Sequence, residues 1–254
     1  MIKENIGAHG PNLEVDSYKS TTTFIMAGGL GTRLRPITYF IPKSLLPWNG
    51  KRIIDYTIEP CIPFSDNIIA AANIDTARRV FPYIRSRWPE VKCLEEPKLL
   101  KAGGVIKFHM DLISDIGTDN FLLLVPDHIR RVNLKDVVTH HFTTENEITI
   151  MVSNPSETNN QVIVENELVT HYLPHNRPLF ENSFSSTGEY VFKWSSLSKF
   201  LETQREEVFD IGWGVFYKML QLGNFKIGAY HVGDWLDLGT WKRYLSLSNR
   251  RRFK

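Results

Sequence analysis

Three glycines in four positions, Gly28, Gly29 and Gly31, are followed by Thr32, Arg33, Leu34, Arg35 and Pro36. A lysine held between two prolines comes shortly after, in Pro42-Lys43-Ser44-Leu45-Leu46-Pro47. Glycines carry no Cβ, so backbone N–H groups can turn toward a ligand, and a nest of such groups binds phosphate oxygens. The prolines stiffen the backbone that presents Lys43, and a fixed ammonium is useful where phosphate charge must be neutralised. Neither common phosphate motif is present: no Gly-Lys-Ser/Thr closes the loop, and Leu34 stands where a dinucleotide fingerprint has its third glycine. For the loop alone, a Gly-rich turn with solvated cations is the plain alternative. Loop, arginine and bracketed lysine together point to phosphate chemistry.

These groups need a scaffold. Thr22-Thr23-Phe24-Ile25-Met26-Ala27 is a β-prone run that breaks at Gly28-Gly29, as a strand entering a loop does. Continuous apolar runs recur at 67–72 and 121–125 and suit strands covered on both faces. Helical spacing lies between and after them, in Val80, Phe81, Ile84 and Trp88, in Val105, Phe108, Leu112 and Ile113, and in Leu134, Val137, Val138 and Phe142. The order predicts an α/β fold: a Rossmann-like, three-layer, mixed but mostly parallel sheet with helices on both faces. In the second half, strands are expected at 147–152, 161–164, 188–192 and 226–232, and helices at 213–222 and 240–248. Residues 1–21 show no clear period and are expected to be an N-terminal extension. The tail Arg250-Arg251-Arg252-Phe253-Lys254 is expected to be a solvated helix end.

The chain has 254 residues, 42% hydrophobic and 23% charged, with a formal charge of +2. That is an ordinary folded composition without the basic excess of a dedicated nucleic-acid binder. Cys61 and Cys93 have neither metal-ligand spacing nor the density of a disulfide scaffold. No run of about eighteen apolar residues exists, and Lys3, Glu4, Glu14, Asp16 and Lys19 occupy the place of a signal peptide's apolar stretch. A cytoplasmic protein with no nucleic-acid or membrane partner is expected. No Ser-His-Asp or Cys-His constellation is apparent. The pair His140-His141 lies in a predicted helix without metal-ligand spacing, so these histidines, like His128, are expected to be packed or solvated. Trp241 is expected in the core, and Trp213 and Trp235 are candidates to stack a base or sugar.

The segments Gly28–Thr38 and Pro42–Pro47 resemble the signature of the sugar-1-phosphate nucleotidylyltransferases, G-G-x-G-T-R-L-x-P-x-T followed by P-K-x-L-x-P. The likeness extends to Val125-Pro126-Asp127 and to Trp235-Leu236-Asp237-Leu238-Gly239-Thr240, and spans about residues 22 to 248. It implies one domain over 22–254, with a nucleotide-binding half near 22–130 and a sugar-phosphate-binding half near 131–254. It implies an enzyme that condenses a nucleoside triphosphate with a sugar 1-phosphate, giving an NDP-sugar and pyrophosphate. By the same resemblance Ala27, Gly28, Gly29, Gly31 and Thr32 would hold the triphosphate, with Arg33 and Lys43 catalytic. Asp127 and Asp237 would bind Mg²⁺, whose preference for hard oxygen ligands they match. Phe209-Asp210-Ile211-Gly212 is similar to a segment of guanylyl- and adenylyl-transferring members and leans the base slightly toward GTP.

Two departures qualify the likeness. Where members carry L-G-T-A-G at the base pocket, this chain reads Leu99-Leu100-Lys101-Ala102-Gly103, so Leu100 and Gly103 are expected at a reshaped nucleotide pocket. The lysine that many members use for the sugar phosphate is missing between Val169 and Phe180. His175 or Arg177 would stand in, with Thr187 and Gly188 beside them; an arginine fork can grip phosphate. The departures leave two alternatives, cytidylyl-type transfer to another phosphorylated small molecule and a catalytically silent nucleotide-binding subunit. A homo-oligomer is compatible with the short helices expected after Trp213, and nothing in the sequence selects one.

Overall fold

The computed structural model describes residues 20–246; the expectations for the first nineteen residues and for the basic tail lie outside the described residues. The described chain opens with β1 (Thr21–Met26), three 3-10 turns (Thr32–Leu34, Ile37–Tyr39, Lys43–Leu45) and the ribbon β2 (Pro47–Trp48) and β3 (Lys51–Arg52). It continues through α1 (Asp55–Ile58), β4 (Asn67–Asn73), α2 (Ile74–Arg87), β5 (Lys92–Glu96), α3 (Lys101–Phe108), α4 (Met110–Asp115) and β6 (Asn120–Leu124). Next come β7 (His128–Arg130), α5 (Leu134–Thr143), β8 (Ile148–Ser153), β9 (Gln161–Glu165), β10 (Leu168–Leu173) and β11 (Ser183–Lys193). The last elements are α6 (Trp194–Thr203), a π-helical turn (Gly212–Phe216), α7 (Tyr217–Leu222), β12 (Ile227–His231), β13 (Trp235–Asp237) and α8 (Trp241–Leu245).

One nine-stranded sheet runs through both halves in the order β5-β4-β1-β6-β11-β8-β12-β10-β9. Side chains alternate across a strand, and here the alternation divides two cores. Phe24, Ile69, Ala71, Phe121 and Leu123 face one side with Val105 and Ile106 of α3 and Leu197 and Leu201 of α6. Ile25, Ala70, Ala72, Leu122 and Leu124 face the other with Val80, Phe81 and Ile84 of α2 and Val137 and Val138 of α5. Each of the valine, leucine, isoleucine and phenylalanine side chains so withdrawn from water is worth about 1.5–3 kcal/mol. Asn73 starts α2 by accepting the Thr76 N–H at 3.1 Å. Pro82 is tolerated inside α2 because it lies on the exposed face, where water can reach the freed carbonyl of Arg78.

The sheet is mixed, and the expectation that it is mostly parallel is corrected. β5, β4, β1 and β6 pair in parallel because helical crossovers join them, whereas β11 runs antiparallel to β6, β8 and β9, and β10 antiparallel to β9 and β12. The strands β9 and β10 are joined by the tight turn Asn166-Glu167, both with positive φ (49° and 66°), the backbone of a hairpin turn whose twist matches its strands. The expected helix over Val105–Ile113 is two helices meeting at His109, and Phe108 is exposed. No helix of the described residues is long and apolar enough to cross a membrane.

The paired histidines have packing roles. His140 lies edge-on to Tyr230, and His141 is buried with Nδ1 2.9 Å from the Thr149 hydroxyl. Burial, reinforced by the neighbouring His140 and Lys193, pushes the His141 imidazole down to about 3. Above about pH 6.5 the ring is neutral in both folded and unfolded chains and contributes nothing to pH dependence. As pH falls toward 3 the unfolded chain takes up a proton that the folded chain refuses, so stability drops by about 1.4 kcal/mol per pH unit. Denaturant unfolding at pH 7 and pH 5 is expected to show this loss, and His141→Gln to flatten the slope by about one proton.

Candidate active site

β1 ends in the loop, and the loop closes on itself. Gly31 sits at φ +60°, where a Cβ would also come within 2.8 Å of Thr38 Cγ2, and its carbonyl accepts the Thr38 hydroxyl at 2.9 Å. Asn73 reaches from the neighbouring strand and donates to the Gly28 carbonyl at 2.8 Å. One cleft of about 430 Å³ opens above these residues, lined by Ala27, Gly28, Gly29, Gly31, Lys43 and Asp127 among others. Thr32 is exposed and does not line it.

The charged groups converge on one α-carbon. A side chain on Gly239 would meet Asp237 Oδ1 at 2.6 Å, Arg33 Nη2 at 2.8 Å and Lys43 Nζ at 3.1 Å. Lys43, at the start of its 3-10 turn, forms an ion pair with Asp127, which follows the C-terminal end of β6 where open α/β sheets present ligands. Asp237 is brought alongside by the β7–β13 ribbon, whose register pairs it with His128, and by the Leu238 N–H, which donates to the Asp127 carbonyl at 2.9 Å. Asp237 in turn pairs with Arg243 and accepts the Gly239 N–H at 2.5 Å. Each carboxylate therefore faces a cation.

Burial alone would push the Asp127 carboxyl up, but the charges of Lys43 and His128 and the hydrogen bond from Lys43 hold it well below the ordinary carboxylate range. Asp127, His128 and Asp237 offer ligand atoms all within 4.8 Å of one another. Two carboxylates at that spacing, with an imidazole beside them, fit a hard divalent cation such as magnesium. His128, expected to be packed or solvated, packs edge-on against Trp235 with centroids 5.0 Å apart, and it also joins this cluster.

The base end differs from expectation. Leu100 is buried in the core rather than in the cleft; Leu99, Lys101 and Ala102 line the cleft instead. Gly103 is also turned inward: a Cβ there would lie 2.4 Å from the Phe209 ring, so this glycine lets α3 pack on Phe209. Lys101 takes φ +59°, a left-handed conformation unusual for a lysine, as it enters α3. Glu96 was not singled out by sequence reasoning. It is buried, lines the cleft, and accepts the Leu100 N–H at 3.0 Å; burial pushes its carboxyl up, against that hydrogen bond. Its signal was a carboxylate ending β5 just before the altered pocket stretch.

The far end is lined by Asn160, Tyr172, Gly188, Tyr190, Asp210 and Trp213. Trp213 rests on Tyr172 with centroids 4.8 Å apart, and Asp210 anchors the Trp213 N–H at 2.6 Å. Of the expected sugar-phosphate residues only Gly188 lines the cleft. His175 and Arg177 are exposed beside it: the His175 backbone N–H donates to Asn160 Oδ1 at 3.1 Å, and the Arg177 carbonyl accepts the Gln161 side-chain amide at 2.8 Å. The Thr187 hydroxyl is engaged with the Met151 carbonyl at 2.9 Å. Trp235 packs on His128, and Trp241 donates to the Arg35 carbonyl at 2.9 Å while packing on a small third core.

Residues 22–252 match the family model described as nucleotidyl transferase. The chain is 28% identical over 256 residues to a glucose-1-phosphate adenylyltransferase of Desulfitobacterium hafniense (strain Y51), an alignment covering 89% of this chain and 63% of the relative. It is 28% identical over 250 residues to a glucose-1-phosphate adenylyltransferase of Clostridium perfringens (strain 13 / Type A), covering 88% and 63%. The chain thus spans under two thirds of the length of either relative. A crystal structure from Bacillus anthracis, assigned as a glucose-1-phosphate thymidylyltransferase and in complex with sucrose, superposes with a TM-score of 0.73 over 89% of this chain and 92% of that one. At 17% identity this likeness shows the fold alone.

Proposed function

The chain belongs to the nucleotidyl transferase family of sugar-1-phosphate enzymes, and from that premise we propose that it joins a nucleoside triphosphate to a sugar 1-phosphate. In this reaction an oxygen of the sugar phosphate forms a bond to the α-phosphorus, the bond to the β-phosphate oxygen breaks, and pyrophosphate leaves with that electron pair. The second pKa of a phosphate monoester is about 6, so the nucleophile is largely ionised at neutral pH and needs no general base. What remains is to bring two polyanions together and stabilise the departing charge.

The observation that carries this reading is the convergence of Arg33, Lys43 and Asp237 on the Gly239 α-carbon, with Asp127 paired to Lys43 at the mouth of the glycine loop. Gly28, Gly29 and Gly31 would cradle the triphosphate, Arg33 would face its departing end, and Lys43 would bridge the reacting phosphates. Asp127 and Asp237 would hold magnesium, which when bound supplies positive charge to the phosphate oxygens. On this reading the nucleotide end would lie near residues 22–130 and the acceptor end near 131–254 of one domain with a Rossmann-like layering. For the base, the names of the relatives support adenylyl transfer ahead of the guanylyl lean drawn from Phe209–Gly212.

A second reading, cytidylyl-type transfer to another phosphorylated small molecule, is favoured by one observation. The acceptor end carries Asp210, Trp213 and Tyr172 in its lining, while His175 and Arg177 stay outside. A pyrophosphate-release screen with magnesium, crossing ATP, dTTP, GTP, CTP and UTP with sugar 1-phosphates and phosphocholine, separates the readings. Release with glucose 1-phosphate or another sugar 1-phosphate is the expected result. Release only with a non-sugar phosphate moves the assignment to the second reading, and a blank panel with measurable nucleotide binding leaves a silent subunit.

A further inference from the structure

One ion pair near the site is cut off from solvent. Arg130, the last residue of β7, and Glu189, on β11, pair through side chains only 2% and 0% exposed. Glu189 Oε1 accepts both the Arg130 Nη2–H and the backbone N–H of Val125, the latter at 3.0 Å, and Oε2 accepts the Arg130 Nε–H at 3.2 Å. Arg130 Nη2 also donates to the Val125 carbonyl at 3.1 Å. Both backbone polar groups of Val125, two residues before Asp127, therefore end on this pair. On the other side of Asp127, His128 brings Nδ1 to 3.3 Å from Glu189 Oε1. Arg130 itself belongs to the ribbon that carries Asp237, opposite Trp235.

The other end of the pair leads to the acceptor side. Glu189 directly follows Gly188, which lines the cleft at φ +76°, within the stretch where the register of β11 shifts against β8 between Ser186 and Tyr190. Fold stability is a weak reason for this arrangement. Burying a guanidinium and a carboxylate carries a desolvation penalty, and a well-packed apolar pair of similar volume is commonly as stable or more so. Arg130 Nη1 is moreover buried with no hydrogen-bond partner among the described residues, a further cost.

We propose that Arg130 and Glu189 are positioning residues: their pair fixes Asp127 relative to Asp237 and ties both to the acceptor-side strand at Gly188. The proposal rests on the metal-site reading above. Partners behind metal ligands orient them, and losing such a partner commonly costs about 10–100-fold in metal affinity. The test measures Mn²⁺ binding to the full chain by loss of the free-ion electron paramagnetic resonance signal, alongside thermal melting. Glu189→Gln alone leaves a buried guanidinium without its counter-charge and is expected to melt early. The double variant Glu189→Leu/Arg130→Met leaves no uncompensated charge but takes its partner from the Val125 N–H, so it is expected to melt above Glu189→Gln and modestly below the unaltered protein, and to bind Mn²⁺ at least about tenfold more weakly.

Arg130→Lys gives a second route should the double variant not fold. It keeps the charge but cannot reach two carboxylate oxygens and the Val125 carbonyl together, so a folded protein with Mn²⁺ affinity lowered several-fold is expected. Unchanged Mn²⁺ affinity in the folded variants overturns the clamp while leaving the metal site standing. No Mn²⁺ uptake by the unaltered protein removes the metal site and the clamp with it.

Discussion

Asp127→Asn is expected to lower turnover by at least about 100-fold, because an amide cannot supply the anionic oxygen that holds a divalent cation against phosphate, a contribution of several kcal/mol. The substitution keeps the shape of the side chain, so the fold should persist. Its charge is the part that matters: the carboxyl is buried, held ionised by Lys43 and His128, and set beside Asp237. Initial rates of pyrophosphate release across a magnesium titration check this, with the melting curve as the control for folding. Rates within about tenfold of the unaltered protein at every magnesium concentration would remove Asp127 from the metal site.

Lys43→Ala is expected to cost about 10²–10³ in turnover, the range seen when one preorganised donor to developing charge is removed. A second consequence follows from the ion pair. Burial pushes the Asp127 carboxyl up and Lys43 is the largest of the influences holding it down, so without Lys43 that carboxyl titrates at higher pH. The variant should therefore lose residual activity at a higher pH than the unaltered protein as the solution is acidified, because the anionic form is the one that binds metal. A pH–rate profile of both proteins separates this from simple loss of a contact. Near-normal turnover in Lys43→Ala would show that the ammonium answers only to Asp127 and not to the phosphates.

Contiguous residues made much of the site legible. The glycines, Arg33 and Lys43 lie in short runs whose local chemistry is visible without a structure, a Gly-rich turn and a proline-bracketed lysine, whereas Asp127 and Asp237 stand out only through the resemblance of the motifs around them. The parallel part of the sheet was legible for the same reason, since alternating apolar strands and helical periods are local patterns. Other features were not. Leu100 and Gly103 read as pocket residues because their stretch corresponds to the base-pocket motif of the family it resembles, yet the fold turns both side-chain positions toward the core and Phe209 and leaves their neighbours to line the cleft. The strand β10 was hidden because Asn166-Glu167 is an uncommon pair for a turn with two positive φ values. His175 and Arg177 were offered for the missing lysine on charge alone, and charge does not say on which side of a loop a residue falls.

Sequence by itself determined which chemistry is available, because residue type, backbone freedom and short periodicity are properties of neighbours along the chain. Tertiary structure alone decided which of those groups meet. The β7–β13 register sets Asp237 beside Asp127, α8 delivers Arg243 to Asp237, and the register shift in β11 carries Glu189 to Arg130. The first and last of these encounters join residues far apart in the chain, and all three follow from strand register and the packing of elements on the sheet, which no local run of residues encodes.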